Sequence, residues 1–198
     1  MNDRDIRVVL KKQLMLRYAK DGDTLVLDEL GIRHGAARID LVVVNHLLHG
    51  YEIKSDCDSL KRLPDQIKAY SSIMDRMTLV VGYRHAYDAL RMVPEWWGVR
   101  LAETKKQTGT VVLSDARQDR DNPKVDLNAV AALLWRDEAL KILEGMGEAK
   151  GVRSKTRTHI YTRLVEVIDP DYLRARVRQQ LKSRAGWRAD AQRMSCGD

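Results

Sequence analysis

The stretch Arg38-Ile39-Asp40-Leu41-Val42-Val43-Val44 predicts an apolar strand at 37–44. After a short turn at Asn45-His46, the stretch Leu48-His49-Gly50-Tyr51-Glu52-Ile53-Lys54-Ser55 predicts a second apolar strand at 47–54. The two strands are predicted to form a hairpin. Side chains two residues apart on a strand point to the same face. Glu52 and Lys54 therefore share a face, and Asp40 comes from the neighbouring strand. The pattern predicts that two carboxylates and one ammonium group converge on this hairpin.

Such a group of side chains favours one kind of chemistry. Carboxylates are the ligands that hard divalent cations such as Mg²⁺ prefer, and a lysine beside such a metal suits phosphodiester hydrolysis. The ordinary alternative is that Asp40 is a surface acid and that Glu52 and Lys54 form a solvent-facing pair. The apolar flanks count against this alternative, since a charged pair in such a hairpin needs a reason.

The composition sets limits on the class of protein. With 198 residues and 44% hydrophobic content, the chain can form one domain with a real core, or one domain with a small appendage. It contains no apolar run that could span a bilayer, and its N-terminus lacks a signal-peptide pattern. Cys57 and Cys196 are far apart and lack metal-site spacing. We expect a reduced, cytoplasmic protein with no membrane partner.

The net charge of +7 is unevenly distributed along the chain. Residues 150–198 contain 12 basic and 5 acidic residues, whereas the remainder contains 23 of each. A basic segment beside a neutral body indicates an anionic partner, most simply nucleic acid. A solvated helical surface is the alternative.

Periodicity predicts helices and strands along the first 115 residues. The order is a helix at 5–20, strands at 24–30, 37–44 and 47–54, a helix with apolar positions from Leu60 to Met74 and a cap at Ser59, a strand at 77–82, a helix at 84–92, and strands near 99–103 and 110–114. This order predicts a mixed central sheet with helices on its faces.

The rest of the chain is expected to be helical. Residues 116–125 are polar and contain Asn122-Pro123, which predicts a linker between a core at 1–115 and a basic helical region at 126–198. Ser154 is a candidate helix cap, and Asp169-Pro170 predicts a helix start. The expected helices are 127–135, 137–145, 155–168 and 170–184.

These features resemble the PD-(D/E)xK nuclease superfamily over residues 1–115. Asp40 matches its first acid, Glu52-Ile53-Lys54 matches its tripeptide, and Gln66 with Tyr70 matches the Gln-x-x-x-Tyr element of its RecB-like and Cas4-like branch. Ile39 replaces the proline of the superfamily's name. The whole chain also resembles a group of small bacterial and phage proteins of that superfamily, which share the Glu-Ile-Lys-Ser-Asp stretch and the helical tail.

The resemblance implies a restriction-endonuclease-like α/β core with an all-helical C-terminal extension. It also implies that Asp40 and Glu52 bind Mg²⁺ or Mn²⁺, that the Ile53 carbonyl completes the metal shell, and that Lys54 orients or activates water. Many members of the superfamily add an upstream acid. Glu29 is the candidate for that acid here, and an exposed strand residue is the equal alternative.

A further set of residues is expected to contact nucleic acid. Gln66 and Tyr70 would face the site from one side of a helix, although Tyr70 also fits a core position. Cations near a helix N-terminus form a natural phosphate site, although a solvated helix is the alternative for each of them. The candidates are Arg38, Gln66, Tyr70, Lys155, Arg157, Arg174 and Arg178.

Three functions follow as hypotheses. The leading one is a metal-dependent nuclease that hydrolyses phosphodiester bonds in DNA, with RNA left open. The second is a non-catalytic nucleic-acid-binding or regulatory protein that retains the nuclease fold. The third is an interaction protein whose basic tail docks an acidic partner. The oligomeric state does not follow from the sequence.

Overall fold

The computed structural model of the chain describes residues 1–32 and 35–194, with side chains up to residue 184. The chain divides into two compact units, Met1–Val125 and Asp126–Asp198. The sheet lies in the first unit, and the second unit is helical over its described residues.

In its described residues, the first unit contains three α-helices and six β-strands. They are α1 (Asp3–Arg17), β1 (Leu25–Ile32), β2 (Ala37–Val44), β3 (Leu48–Lys54), α2 (Leu63–Ser71), β4 (Arg76–Gly82), α3 (Ala86–Met92), β5 (Gly98–Thr104) and β6 (Val111–Arg117). Short 3-10 turns at Leu60–Arg62 and Tyr83–His85 precede α2 and α3, and Ser59 caps the first of these turns. The predicted order of elements is therefore confirmed.

The strands form one sheet in the order β1-β2-β3-β4-β5-β6. The pairs β1–β2, β2–β3 and β5–β6 are antiparallel, whereas β3, β4 and β5 run parallel to one another. Each parallel connection contains a helix, α2 or α3, because parallel strands cannot be joined by a tight turn. The prediction of a mixed α/β sheet is confirmed.

The first helix covers one face of the sheet. A capping box formed by Asn2 and Asp5 begins α1, and this arrangement satisfies amide groups that would otherwise lack partners. Ile6, Leu10 and Leu14 lie at helical spacing and are buried against a cluster of strand residues. The strand members of this cluster are Leu41, Val43, Tyr51, Ile53, Val80, Ala102 and Leu113.

The central strand β3 is buried along its whole length. Its Gly50 is paired with Met77, and a Cβ atom at Gly50 would lie 2.4 Å from the Met77 sulfur. On α2, Tyr70 is fully buried and stacks on the indole of Trp97 with ring centroids 6.4 Å apart. Charged residues on β3 are therefore removed from solvent, which increases the free-energy cost of leaving them unpaired.

The chain after β6 remains attached to the first unit. The sequence places a linker at 116–125, whereas β6 extends to Arg117. The Arg120 amide donates to the Trp96 carbonyl (2.8 Å), and the Asn122 amide donates to the Asp75 carbonyl (2.8 Å). The Asn122 side chain donates to the carbonyls of Ser71, the last residue of α2, and of Met74 in the turn that follows, both at 2.8 Å.

The second unit contains four α-helices in its described residues: α4 (Leu127–Ala131), α5 (Arg136–Gly145), α6 (Arg157–Val167) and α7 (Pro170–Met194). The predicted all-helical character is confirmed, although α4 ends earlier and α7 ends later than expected. Thr156 caps α6, so the prediction that Ser154 does so is wrong. Asp169 accepts from the amides of Asp171 and Tyr172, as its position before Pro170 predicts.

Arg184 on α7 contacts two other segments of the second unit. Arg184 donates through Nε to Glu138 (2.8 Å) and through both terminal nitrogens to the Leu133 carbonyl (3.1 Å each). Its guanidinium also lies over the Trp135 ring, 4.3 Å from the centroid. These contacts join α7 to α5 and to the end of the α4 segment.

Two further observations concern membranes and thiols. In the described part of the chain, no helix combines the length and the apolar character that crossing a membrane requires. Cys57 is an exposed free thiol. Cys196 lies outside the described residues.

Candidate functional site

The hairpin brings the three charged residues of the sequence motif close together. Leu41 pairs with Tyr51 across β2 and β3, so Asp40 and Glu52 occupy the next position of the same ladder. Lys54 follows two residues after Glu52 at the end of β3. The sheet therefore juxtaposes the two acids and the lysine, as the spacing predicts.

Asp40 is held by donors on both carboxylate oxygens. Arg7 on α1 donates to Oδ1 (2.6 Å) and to the Asp40 backbone carbonyl (2.9 Å). The backbone amide of Ile53 donates to Oδ2 (2.8 Å). The Asp40 carboxylate consequently ties β2 to both α1 and β3.

Glu52 lies deeper, with 2% of its surface exposed. Its Oε1 accepts from the Lys54 ammonium and from Gln66 Nε2, the latter at 2.6 Å. Lys54 is itself only 6% exposed, so this is a buried ion pair. Burial, with a contribution from the Asp40 charge, raises the pKa of Glu52 to about 7.

The glutamine and tyrosine on α2 continue this network to β2. Gln66 Nε2 also donates to the Tyr70 hydroxyl (3.1 Å), and that hydroxyl donates to the Arg38 backbone carbonyl (2.7 Å). Burial raises the pKa of Tyr70 above its ordinary value. Gln66 therefore contacts Glu52, while Tyr70 is a core residue with its hydroxyl on β2.

Arg38 and Glu29 lie at the exposed edge of this region. On β1, Asp28 pairs with Leu41 and Leu30 pairs with Ile39, so Glu29 lies across from Asp40. The backbone of Glu29 is left-handed, with a φ of 55°. Its carboxylate pairs with the Arg38 guanidinium at 3.2 Å, and both side chains are at least half exposed. The structure thus pairs Glu29 with Arg38, not with Glu52 or Lys54.

Most carboxylate oxygens of the Mg²⁺ site that the sequence predicts accept hydrogen bonds from the protein. Of the four carboxylate oxygens of Asp40 and Glu52, only Glu52 Oε2 has no hydrogen-bond partner. A cation on Asp40 would lie beside the positive charge of the Arg7 guanidinium, which already donates to Oδ1. Within residues 1–32 and 35–194, no three His, Cys, Asp or Glu side chains are grouped so that they could hold a metal ion. Binding of Mg²⁺ or Mn²⁺ through Asp40, Glu52 and Ile53 stays a prediction of the sequence.

The basic candidates of the tail lie in the second unit. Lys155 and Arg157 are exposed just before and at the start of α6. Arg174 and Arg178 are half-buried on α7, whose buried positions up to residue 184 are Leu173, Val177 and Leu181. An open cavity of about 490 Å³ precedes α6, and its lining includes Lys150, Arg153 and Ser154.

Sequence reasoning missed the partner of Asp40. Arg7 is one of several basic residues on α1, and no local pattern distinguishes it from Arg4 or Lys11. Its pairing with Asp40 depends on how α1 crosses the sheet, which is a tertiary property. The acid in the predicted metal site is thus neutralised by a residue 33 positions earlier.

Residues 3–193 match a family model described as bacteriophage P4 protein cII. The chain belongs to the bacteriophage P4 protein cII family. A protein cII from Enterobacteria phage P4 is 30% identical over 101 residues, an alignment that covers 50% of this chain and 37% of that protein. The chain therefore spans little more than a third of the length of this curated cII relative. No solved structure matches the chain.

Membership of the cII family corrects the expected activity. The match is to phage P4 protein cII, so identification as a PD-(D/E)xK nuclease is wrong, and so is the prediction of a Mg²⁺-dependent hydrolase. The restriction-endonuclease-like form of the fold is not confirmed, whereas the expected link to phage proteins is consistent with the match. In this chain the acid-x-lysine tripeptide is a buried ion pair bound to α2, which gives the charged pair a structural reason to lie in an apolar hairpin.

Proposed function

We propose that this cII-family protein is a non-catalytic regulatory protein that acts by binding DNA. The observation that carries the proposal is a basic segment without acids, residues 149–165, which contains five Lys and Arg residues. Four of them, Lys150, Arg153, Lys155 and Arg157, are exposed around the start of α6. Cations at a helix N-terminus form a natural contact for backbone phosphates.

Some of the cations in residues 149–165 are paired with acids of the protein, and the others are available to a partner. Arg153 pairs with Glu144 at 3.1 Å, and Arg163 pairs with Glu148 and Glu166. Among the described residues, Lys150, Lys155 and Arg157 form no ion pair. Three exposed cations close together in the sequence around the start of α6 favour a polyanion over a neutral partner.

The state of Asp40 and Glu52 supports the non-catalytic part of the proposal. A general base or metal ligand needs lone pairs directed at a substrate or ion. Three of the four carboxylate oxygens instead accept hydrogen bonds from Arg7, Ile53, Lys54 and Gln66. These acids link the strands to α1 and α2, and regulation requires only that the bound protein occupy its DNA. We expect such an action in the cytoplasm.

Salt-dependent binding to DNA tests the proposal. We expect the full chain to bind duplex DNA with an affinity that falls as salt rises, because each neutralised phosphate releases counterions. Replacing Lys150, Lys155 and Arg157 by Gln should reduce the slope of log affinity against log salt by roughly 0.9 for each phosphate that is no longer neutralised. Fluorescence anisotropy with a labelled duplex measures both quantities.

A matched control separates this segment from general charge. Lys141 is exposed on α5 in the same unit. The variant Lys141→Gln therefore removes one positive charge that does not belong to the start of α6, and it should leave the slope of log affinity against log salt unchanged. Absence of binding at low salt would refute DNA binding. Metal-dependent cleavage of the same DNA, abolished in Lys54→Ala, would refute the non-catalytic part.

A further inference from the structure

A second exposed surface lies on the first unit, at the carboxyl end of β4. We define the α3 surface as Tyr83, Arg84, Tyr87 and Arg91. Tyr83 is 66% exposed and Tyr87 is 69% exposed. Large aromatic side chains are usually buried far more than this because their transfer from water is favourable. Two such residues one helical turn apart therefore form a surface that a partner can cover.

The geometry of the α3 surface is fixed by local contacts. Arg91 donates to the Tyr87 hydroxyl (2.9 Å), and its guanidinium lies 5.4 Å from the centre of the same ring. The Arg84 amide donates to the Asp56 carboxylate (3.1 Å), which holds the start of the segment against the loop after β3. A Cβ at the adjacent Gly82 would lie 2.8 Å from the Asp56 amide, so the approach of this loop is close.

The charges on this surface indicate the class of partner. Residues 83–92 contain two arginines and one acid, Asp88, and both arginines are exposed beside the tyrosines. Aromatic rings stack on nucleobases, while guanidinium groups contact phosphates and also stack. A purely apolar partner would leave the two guanidinium groups without a counter-charge. An acidic partner with planar groups satisfies both features.

We propose that the α3 surface binds single-stranded nucleic acid, with Tyr83 and Tyr87 stacking on unpaired bases and Arg84 and Arg91 contacting the backbone. Base faces are accessible in a single strand and are covered by neighbouring pairs in a duplex, so the tyrosines select the single-stranded form. The inference rests on the proposed DNA-binding function and adds to it the form of nucleic acid recognised by the first unit.

Affinity measurements on the full chain test this inference. The probe is a fluorescein-labelled oligothymidylate of about 16 nucleotides, the upper range of a single site, and a duplex of equal length serves for comparison. We expect Tyr83→Ala and Tyr87→Ala each to weaken single-strand binding about 5- to 100-fold, the equivalent of removing one base stack. The salt slope should stay unchanged in these variants, because neither side chain is charged.

Replacing the arginines should change the salt dependence of binding, which the tyrosine variants leave unchanged. Arg84→Gln and Arg91→Gln should each reduce the single-strand salt slope by roughly 0.7, the value for one phosphate contact. Tyr83→Phe retains the ring and should bind like the wild type, whereas Tyr87→Phe retains the ring and removes the hydrogen bond from Arg91. Tyr172→Ala is the matched control, because Tyr172 is also an exposed tyrosine (52%) but lies in the second unit.

The outcomes separate the two proposals. If the double variant Tyr83→Ala/Tyr87→Ala binds the oligothymidylate within about twofold of wild type, the α3 inference fails, and duplex binding that persists leaves the DNA-binding proposal standing. If the wild type binds neither probe, both proposals fail. If the double variant keeps nucleic-acid binding but loses self-association in sedimentation experiments, the surface is a protein interface and the inference is overturned.

Discussion

Arg7 on α1 binds Asp40 on β2 at two places, the carboxylate (2.6 Å) and the backbone carbonyl (2.9 Å). Both side chains are 22% exposed, so the pair is partly shielded from water. The acid that the sequence motif assigns to a metal is thus the point where the first helix is fastened to the hairpin. The contribution of the Arg7–Asp40 pair can therefore be measured as a change in the free energy of unfolding.

Loss of Arg7 should destabilise the first unit. We expect Arg7→Ala to lower the free energy of unfolding by about 2 kcal/mol, because hydrogen bonds to charged groups contribute roughly 1.5–3 kcal/mol each. Urea denaturation measures this change. Arg4→Ala, on the exposed side of the same helix, should have little effect, and equal destabilisation by the two variants would contradict the role assigned to Arg7.

The buried pair of Glu52 and Lys54 should have a larger effect on stability than an exposed pair. Removing one partner, as in Glu52→Gln or Lys54→Met, leaves a buried charge unpaired and should destabilise the fold by roughly 3–5 kcal/mol. The double variant Glu52→Gln/Lys54→Met should recover most of that loss. A double-mutant cycle on the exposed pair Arg38–Glu29 is the control, with a coupling of roughly 0.2–1 kcal/mol. Similar couplings in the two cycles would argue against the buried pair.

Glu52 should also give stability a dependence on pH. Its ordinary pKa is 4.5, and burial raises the folded value to about 7. Between these values the folded state binds more protons than the unfolded state, so the free energy of unfolding should fall as the pH rises from about 4.5 to about 7. Denaturation of wild type and of Glu52→Gln/Lys54→Met across this range isolates the effect. Parallel pH profiles would show that Glu52 titrates normally.

His49 should remain uncharged under mildly acidic conditions. Its Nε2 lies 2.9 Å from the Thr78 hydroxyl, its ring stacks on Tyr51, and burial lowers its pKa to about 4. Since the ordinary value is 6.5, this residue contributes stability above that pH that is lost as the pH falls towards 4. Proton NMR, with His49→Gln used to assign the signal, should show no shift of the ring protons between about pH 8 and 5. A shift in that range would mean that the ring is hydrated.

Gly82 should tolerate no side chain. A Cβ atom there would lie 2.7 Å from the Asp56 carboxyl carbon and 2.8 Å from its backbone amide, and the backbone cannot move aside easily. We expect Gly82→Ala to destabilise the protein by about 1–3 kcal/mol through overpacking. Gly31 in β1 has no atom within 4 Å of the same position, so Gly31→Ala is the matched control in thermal unfolding. A comparable loss in both variants would contradict the close approach of Asp56.

The sheet was predictable from sequence because its signals are local. Alternating and continuous apolar runs locate β2 at Ala37–Val44, the range that the pattern predicts, and β3 at Leu48–Lys54, one residue shorter. The start of α7 follows from Asp169-Pro170 in the same way. The end of α7 at Met194 carries no comparable stop signal, and the sequence therefore places it ten residues early.

The role of the charged residues on the hairpin was harder to predict from the sequence. Spacing places Glu52 beside Lys54 whether the pair binds a metal or closes on itself, so the tripeptide alone cannot distinguish the two. Arg7 and Gln66 add hydrogen bonds to the carboxylate oxygens that the tripeptide does not foretell. Those contacts depend on the packing of α1 and α2 against the sheet, which a strand pattern does not encode.

The two hydrogen bonds from Asn122 to the carbonyls of Ser71 and Met74 bear on how the protein can be dissected. Helix α2 carries Gln66 and Tyr70, and the carbonyls of its last residue, Ser71, and of Met74 in the following turn find their donor 51 and 48 residues later in the chain. A gene fragment that stops at residue 115 would leave these carbonyls without a donor and cut β6 short. A fragment of the first unit that keeps this donor must therefore include Asn122, and the compact unit itself runs to Val125.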